Sequence, residues 1–353
     1  MLLACNSAAL KNAPPDSTDD TGGTASTKDA GKKVARKPDG GVGVGPEEAG
    51  ISYTRDVKIY VQPGSSSAVL DSIKAAKTSI HMTMYLLTDD AIEAALIEAS
   101  KTKDVKVVLN QSFPEGGNAN LAAYNKLKAA KVPVAWASTA YVYTHAKCVI
   151  IDGSAAWIMT MNLVASSATT NREFLAYDTD AADVADAEEV FQADFAGTGL
   201  VIGGKLLVSP PTTSERDTRT TLLSFLQSAQ SSIDMEAETL SDDKIVAELI
   251  AAKAAGVTVR IVLDSSSGPG TPTQQEAVKT LKAAGIAIKT LSNPDVHAKA
   301  IVVDDIAAYV GSMNFTYNSM VKNREIGVLT DTASEVTKIA TTIEKDYAAG
   351  KAY

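Results

Sequence analysis

Two nine-residue stretches carry the chemistry of this chain. Residues 144–152 are THAKCVIID and residues 296–304 are VHAKAIVVD. Only three histidines occur in the whole sequence, and two of them, His145 and His297, stand at the same place in this phrase. Side chains alternate faces along a β-strand, so His145 shares a face with Lys147, and His297 with Lys299. Asp152-Gly153 supplies a turn. A returning strand, WIMTMN, then places Thr160 and Asn162 together, and GSMN does the same for Ser312 and Asn314. One hairpin of each copy can therefore present an imidazole, an ammonium, a hydroxyl and an amide. That set suits an anion: lysine brings charge, Asn and Ser/Thr bring neutral donors, and histidine attacks or moves a proton. A zinc site built from the two histidines and nearby carboxylates is the weaker reading. The lysine beside each histidine repels a divalent cation and attracts a phosphate.

These phrases belong to a longer internal repeat. Residues 68–110 align with residues 221–264, Ile80 on Ile233, Asp89 on Asp242 and Asp90 on Asp243, all 153 positions apart. His145 to His297 and Asn162 to Asn314 are both offset by 152. His81 pairs with Asp234 in this register, so it belongs to no shared site and is read as structural. Cys148, inside an apolar run, is read as a small buried hydrophobe. Met159 stands where the second copy has Gly311. Its side chain could narrow the pocket or point into the core.

Positioning these residues takes a repeated set of elements. Each copy predicts a helix (VLDSIKAAK), a strand (SIHMTMYLL), and a helix opened by a capping aspartate (DAIEAALIEASK). An apolar strand (VKVVLN, VTVRIVLD), another helix (NLAAYNKLKAAK, TQQEAVKTLKAAG) and the histidine-bearing strand pair follow. Helices alternating with short, nearly continuous apolar strands predict an α/β sandwich. Each copy opens on a strand followed by proline, at Pro63 and at Pro210. The chain divides into a tether over residues 1–50, a first half over 51–200 and a second over 201–353.

His145-x-Lys147-x4-Asp152 and His297-x-Lys299-x4-Asp304 resemble the paired HKD motifs of the phospholipase D superfamily, and Gly311–Asn314, GSMN, is typical of it. The resemblance extends over about residues 55 to 330. It implies two similar α/β halves related by pseudo-twofold symmetry, with one active site between them and one motif from each half. It implies no metal or other cofactor for hydrolysis. One histidine, His145 by family precedent, attacks phosphorus to form a phosphohistidine, and His297 protonates the leaving alcohol and then activates water or another alcohol. Lys147, Lys299, Asn162 and Asn314, with Thr160 and Ser312, would hold the phosphate oxygens. The family also places an acidic residue on the ring nitrogen remote from phosphorus. NREF and NREI put Glu173 and Glu325 each 28 residues after a motif histidine. On that spacing Glu173 is expected to serve His145, and Glu325 to serve His297. Asp152 and Asp304 lie off the His/Lys face, at the turn, and are expected to hold the hairpin.

Composition narrows the function classes. The chain has 353 residues, 45% hydrophobic and 21% charged, with a net charge of −9. A protein built only to hold nucleic acid is usually basic, so a nuclease is the alternative reading and a phospholipid or related diester the leading one. A phosphatidyl transferase such as a cardiolipin synthase uses the same site. A catalytically silent binding module would have lost part of one motif. Residues 1–50 are rich in Gly, Pro, Ser, Thr and charge and predict a disordered tether. Leu2-Leu3-Ala4-Cys5 resembles a bacterial lipobox, which makes Cys5 a lipidation candidate and the cell envelope, or secretion, the expected location. Two motifs in one chain make a monomer sufficient for a complete site.

Overall fold

The structure is a computed structural model that describes residues 51–353 apart from 66, 199–203, 212–216 and 266–269. The expected tether and the lipidation candidate Cys5 lie outside the described residues.

The first half runs β1 (Val57–Gln62), α1 (Ala68–Ala75), β2 (Ser79–Met84), α2 (Asp90–Ala99), β3 (Asp104–Leu109), α3 (Leu121–Ala129) and β4 (Val134–Trp136). It continues through β5 (Lys147–Ile151), β6 (Ala155–Met159), α4 (Ser167–Thr170), β7 (Asn171–Asp178) and α5 (Ala181–Ala196). The second half repeats this order as β8 (Leu207–Ser209), α6 (Thr218–Gln227), β9 (Ser232–Ala237), α7 (Asp243–Ala254), β10 (Thr258–Asp264), α8 (Pro272–Ala283) and β11 (Ala287–Leu291). After the short β12 (Asp295–Val296) come β13 (Lys299–Val303), β14 (Ala307–Gly311), α9 (Tyr317–Val321), β15 (Glu325–Thr330), α10 (Ala333–Ala349) and β16 (Lys351–Ala352).

Both sheets share one strand order. The first reads β1-β7-β6-β5-β2-β3-β4 and the second β8-β15-β14-β13-β9-β10-β11-β16. In each, the strands joined through helices pair in parallel, and the hairpin strands add antiparallel. The fold is thus a duplicated α/β sandwich. Local chemistry explains the helix starts. Asp89 and Asp242 accept from the second and third backbone N–H groups of α2 and α7, satisfying donors that a helix start leaves open. Asp180 does the same for α5, which ends on Gly197 in the left-handed region.

Three apolar clusters follow from the layering. One lies between the first sheet and α1–α3, built on Ile73, Ile80, Leu96 and Leu109. Its counterpart uses Leu222, Phe225, Ile233, Leu249 and Leu263. The central cluster joins the halves: Ile59, Cys148, Ile150, Phe174 and Phe191 meet Val208, Val302, Val328, Ile339 and Ile343. Strands of both hairpins therefore have apolar side chains on both faces, which is why they read as unbroken apolar runs. Residues 51–54 run along the second half. Ile51 packs in its core and Thr54 N–H donates to the Leu329 carbonyl.

Candidate active site

The two histidine strands do not stop at their own sheets. β12 pairs in parallel with the start of β7, Asp295 on Asn171 and Val296 on Arg172, and His297 N–H donates to the Arg172 carbonyl at 3.2 Å. The mirror contact joins Thr144 to Arg324, with His145 N–H 2.8 Å from the Arg324 carbonyl. Each histidine is thereby laid onto the NRE segment of the opposite half. Two buried ion pairs fasten the crossing. Arg172 engages Asp346 of α10 with two guanidinium nitrogens, and Arg324 engages Asp194 of α5 at 3.0 Å.

This crossing corrects the expected carboxylate pairing. His145 Nδ1 is 2.9 Å from Glu325, and His297 Nδ1 is 2.9 Å from Glu173. Neither histidine uses the acid 28 residues downstream in its own copy. The physical reason is the strand register: the NRE strand of each half lies beside its own β6 or β14, and its start faces the partner's histidine. The hydroxyls are corrected as well. Thr160 and Ser312 were expected on the phosphate, yet Thr160 Oγ1 donates to Glu173 and Ser312 Oγ to Glu325, the latter at 2.6 Å. A buried hydroxyl facing a carboxylate takes it as acceptor, and each then fixes the acid that orients the other half's histidine. Asn171 and Asn323 add amide donors to the same two carboxylates.

Lys147 and Lys299 are fully buried, and each donates to the carbonyl of its own motif histidine, at 2.7 and 2.6 Å. The imidazoles, with side chains 11% and 12% exposed, are the groups a ligand can reach. Asn162 Oδ1 and Asn314 Oδ1 are buried and have no hydrogen-bond partner among the described residues. Rotation of either amide puts an NH2 donor at the same place. Asp152 and Asp304 stay away from the site. Asp152 accepts from the backbone N–H of Lys77, Thr78 and Ser79, and Asp304 from Gln230, Ser231 and Ser232. Each ties the hairpin turn to the loop that precedes β2 or β9.

The two halves differ in charge at the position that follows β2 and β9. Tyr85 and Glu238 follow β2 and β9 at equivalent places. Tyr85 sets its ring edge-on to His145, 4.6 Å between centroids, and under Lys147 Nζ at 4.9 Å. Glu238 puts a carboxylate 2.6 Å from Lys299 Nζ and 3.6 Å from His297 Nε2. Sequence reasoning passed over Glu238. The repeat alignment carried the signal, a carboxylate facing a tyrosine where both neighbouring strands are apolar.

These surroundings set the charges. Burial holds His145 down to about 4 against the pull of the Glu325 carboxylate, so its ring is neutral at neutral pH. With Nδ1–H donated to Glu325, the lone pair lies on Nε2. Burial also brings Lys147 down to about 7 despite Glu325, with Lys299 adding to the lowering. Burial pushes the Glu238 carboxyl up, but His297 and Lys299 outweigh it and hold it well below the usual carboxylate range.

The remaining sequence readings fall outside the site. His81 stacks on Phe191 and bonds Glu188 at 2.7 Å. Cys148 is buried, with burial pushing its thiol up to about 12. Met159 is fully buried in the first core cluster and does not narrow the pocket. Gly311 is required where it stands, because a Cβ there would lie 2.6 Å from Gly327 Cα and 2.4 Å from Tyr309 Oη. Among the described residues no cluster of His, Cys, Asp and Glu could hold a metal ion, and no helix is long and apolar enough to cross a membrane.

Known proteins share this plan. A family profile described as "Cardiolipin synthase, PLD-like domain" matches residues 69–195 and 222–347, one copy on each half. Phospholipase D Z of Dictyostelium discoideum is 30% identical over 162 residues, covering 39% of this chain and 37% of its own. Cardiolipin synthase 1 of Bacillus cereus is 24% identical over 325 residues, 80% of this chain and 64% of its own. The chain thus spans less than two thirds of either relative. The solved structure of phosphatidylserine synthase from Haemophilus influenzae superposes with a TM-score of 0.64 at 9% identity, over 87% of this chain and 92% of that one, a likeness of fold. With both profile copies falling on the two crossed halves, the chain belongs to the phospholipase D-like family.

Proposed function

We propose that the chain is a phosphodiesterase of phospholipase D type that cleaves a phospholipid head-group diester through a covalent phosphohistidine. The observation that carries this reading is the crossed pair of carboxylate-bound imidazoles flanked by two buried lysines. His145, neutral and with its lone pair on Nε2, attacks phosphorus, and an N–P bond forms as the bond from phosphorus to the head-group oxygen breaks. His297, bonded through Nδ1 to Glu173, gives its Nε2 proton to that departing oxygen. Water then attacks phosphorus, returns a proton to His297, and the N–P bond breaks to release the phosphomonoester. Lys147, Lys299, Asn162 and Asn314 would steady the phosphoryl oxygens as charge gathers in the transition state. No step calls on a metal.

A second reading rests on the cardiolipin synthase relatives: the same phosphohistidine passes its phosphatidyl group to an alcohol. The net charge of −9 weighs against a nucleic-acid substrate. A membrane surface is the proposed workplace, with a lipid anchor at Cys5 and a monomer as the working unit. The deciding assay offers purified protein phosphatidylcholine vesicles, phosphatidylglycerol vesicles and single-stranded DNA in parallel, with EDTA throughout. Release of head-group alcohol supports hydrolysis, and formation of a diphosphatidyl lipid from phosphatidylglycerol supports transfer. DNA cleavage without lipid turnover, or loss of turnover in EDTA, overturns the proposal.

A further inference from the structure

Glu238 is the one acid of the site without a supporting part in that scheme. Glu173 and Glu325 each serve a histidine from behind, at Nδ1. Glu238 instead reaches the reacting side, 3.6 Å from His297 Nε2 and 2.6 Å from Lys299 Nζ. An incoming phosphoryl oxygen would need those same two groups. Among the described residues the first half has no such competitor, because Tyr85 places an aromatic ring beside His145 and Lys147.

We propose that Glu238 is an internal occupant of the anion subsite formed by Lys299 and His297, displaced when a phosphodiester binds. This rests on the phosphodiesterase reading and adds a selection rule to it. A diester brings one negative charge, whereas a phosphomonoester carries about −1.5 to −2 at neutral pH. Repulsion from Glu238 is therefore about twice as large for the monoester. The carboxylate tolerates a diester substrate, weakens retention of a monoester product, and returns to Lys299 when that product leaves. Charge balance supports the return. Without an anion in the site, Lys299 would be a buried ammonium whose hydrogen-bond acceptor among the described residues is the His297 carbonyl, His297 Nδ1 being committed to Glu173, an expensive state that the Glu238 carboxylate relieves.

The test is calorimetric titration of the full chain at neutral pH with inorganic phosphate, as the more highly charged probe, and dimethyl phosphate, as the singly charged one. Glu238→Gln keeps the shape and removes the charge. Glu238→Tyr installs the residue of the first half and serves as a second variant if the first fails to fold. Either should bind inorganic phosphate roughly tenfold or more tighter than the natural chain, since a full charge within a few ångström is removed. The gain for dimethyl phosphate should be smaller. If the natural chain binds phosphate and neither folded variant binds it more tightly, Glu238 is no competitor, while the phosphodiesterase reading stands. Equal gains for both probes overturn the selection by charge. If neither the natural chain nor the variants bind either probe, the phosphate site itself is wrong and both proposals fall.

Discussion

Glu325→Gln should silence His145, although the two residues are 180 positions apart and Glu173 is the acid in the same copy. The structure puts Glu325 at 2.9 and 3.0 Å from His145 Nδ1, fully buried and held by Ser312 at 2.6 Å. Replacing the carboxylate by an amide removes a charge-assisted hydrogen bond, worth about 1.5–3 kcal/mol. That alone slows attack by about 10- to 150-fold. The amide can also turn its NH2 toward Nδ1, which moves the ring proton to Nε2 and takes away the attacking lone pair. A wrong tautomer of this kind can carry the loss to about 10^4-fold. The assay is a rapid-quench experiment with a chromogenic phosphodiester, reading the burst of leaving alcohol and the acid-labile phosphoryl label on the protein. Glu325→Gln should lose burst and label together, and adding His145→Ala should cost little more, as for two residues acting as one unit. Glu173→Gln should act on His297, slowing both steps in a way that adding His297→Ala does not worsen. If Glu173→Gln were the change that merges with His145→Ala, the crossed pairing would be refuted.

Four further outcomes follow from the same geometry. Lys147, brought down to about 7 by burial, loses its charge as pH rises through that value, so KM for a diester should climb above pH 7 while Lys147→Met gives a high KM throughout. Asp194→Ala leaves the buried Arg324 guanidinium without its carboxylate and should destabilise the fold by about 3–5 kcal/mol in urea unfolding. Gly311→Ala forces a methyl against the Gly327 backbone and should lower stability by about 1–3 kcal/mol without touching the histidines. Burial works against a charged His81, but its bond to Glu188 prevails and raises it above the ordinary 6.5. The protonated ring therefore stabilises the fold in full below 6.5, and this contribution should fade as pH rises through the elevated folded value. Urea midpoints against pH should be flatter on that limb for His81→Gln.

Much of this molecule was legible in its sequence for a physical reason: duplication displays every constraint twice. The capping aspartates at 89 and 242 and the helices α2 and α7 recur 153 positions apart, and the apolar strands β3 and β10 154 apart, because each half repeats the same local problem. What stayed hidden are the features that join the halves. A repeat register compares equivalent positions, so it pairs His145 with the acid of its own copy. The crossing is made by β12 against β7 and by Thr144 against Arg324, contacts with no local pattern to announce them. Thr160 and Ser312 were misplaced for a related reason. Strand alternation put them on the face of the histidine, but it could not show a carboxylate from the adjacent strand within bonding reach.

The crossing also bears on how the site is kept intact. Each histidine unit is assembled from both halves, with a histidine of one, a carboxylate of the other, and a hydroxyl that orients that carboxylate. Loosening the central cluster would therefore disturb both histidines at once, whichever half is altered. Ile343→Ala in α10 tests this. The side chain is 1% exposed, lies in the shared cluster, and sits one turn before Asp346, the carboxylate that holds Arg172. Removing its buried methyls should cost about 2–5 kcal/mol of stability. At a temperature where the variant stays folded, phosphohistidine formation and its breakdown should both slow. Such joint loss is expected only if α10 positions Arg172, and through Arg172 the β7 start that carries Glu173 and the strand bearing His297. A variant that lost the full stability increment yet kept both rates would show that the site is held by its hydrogen bonds alone.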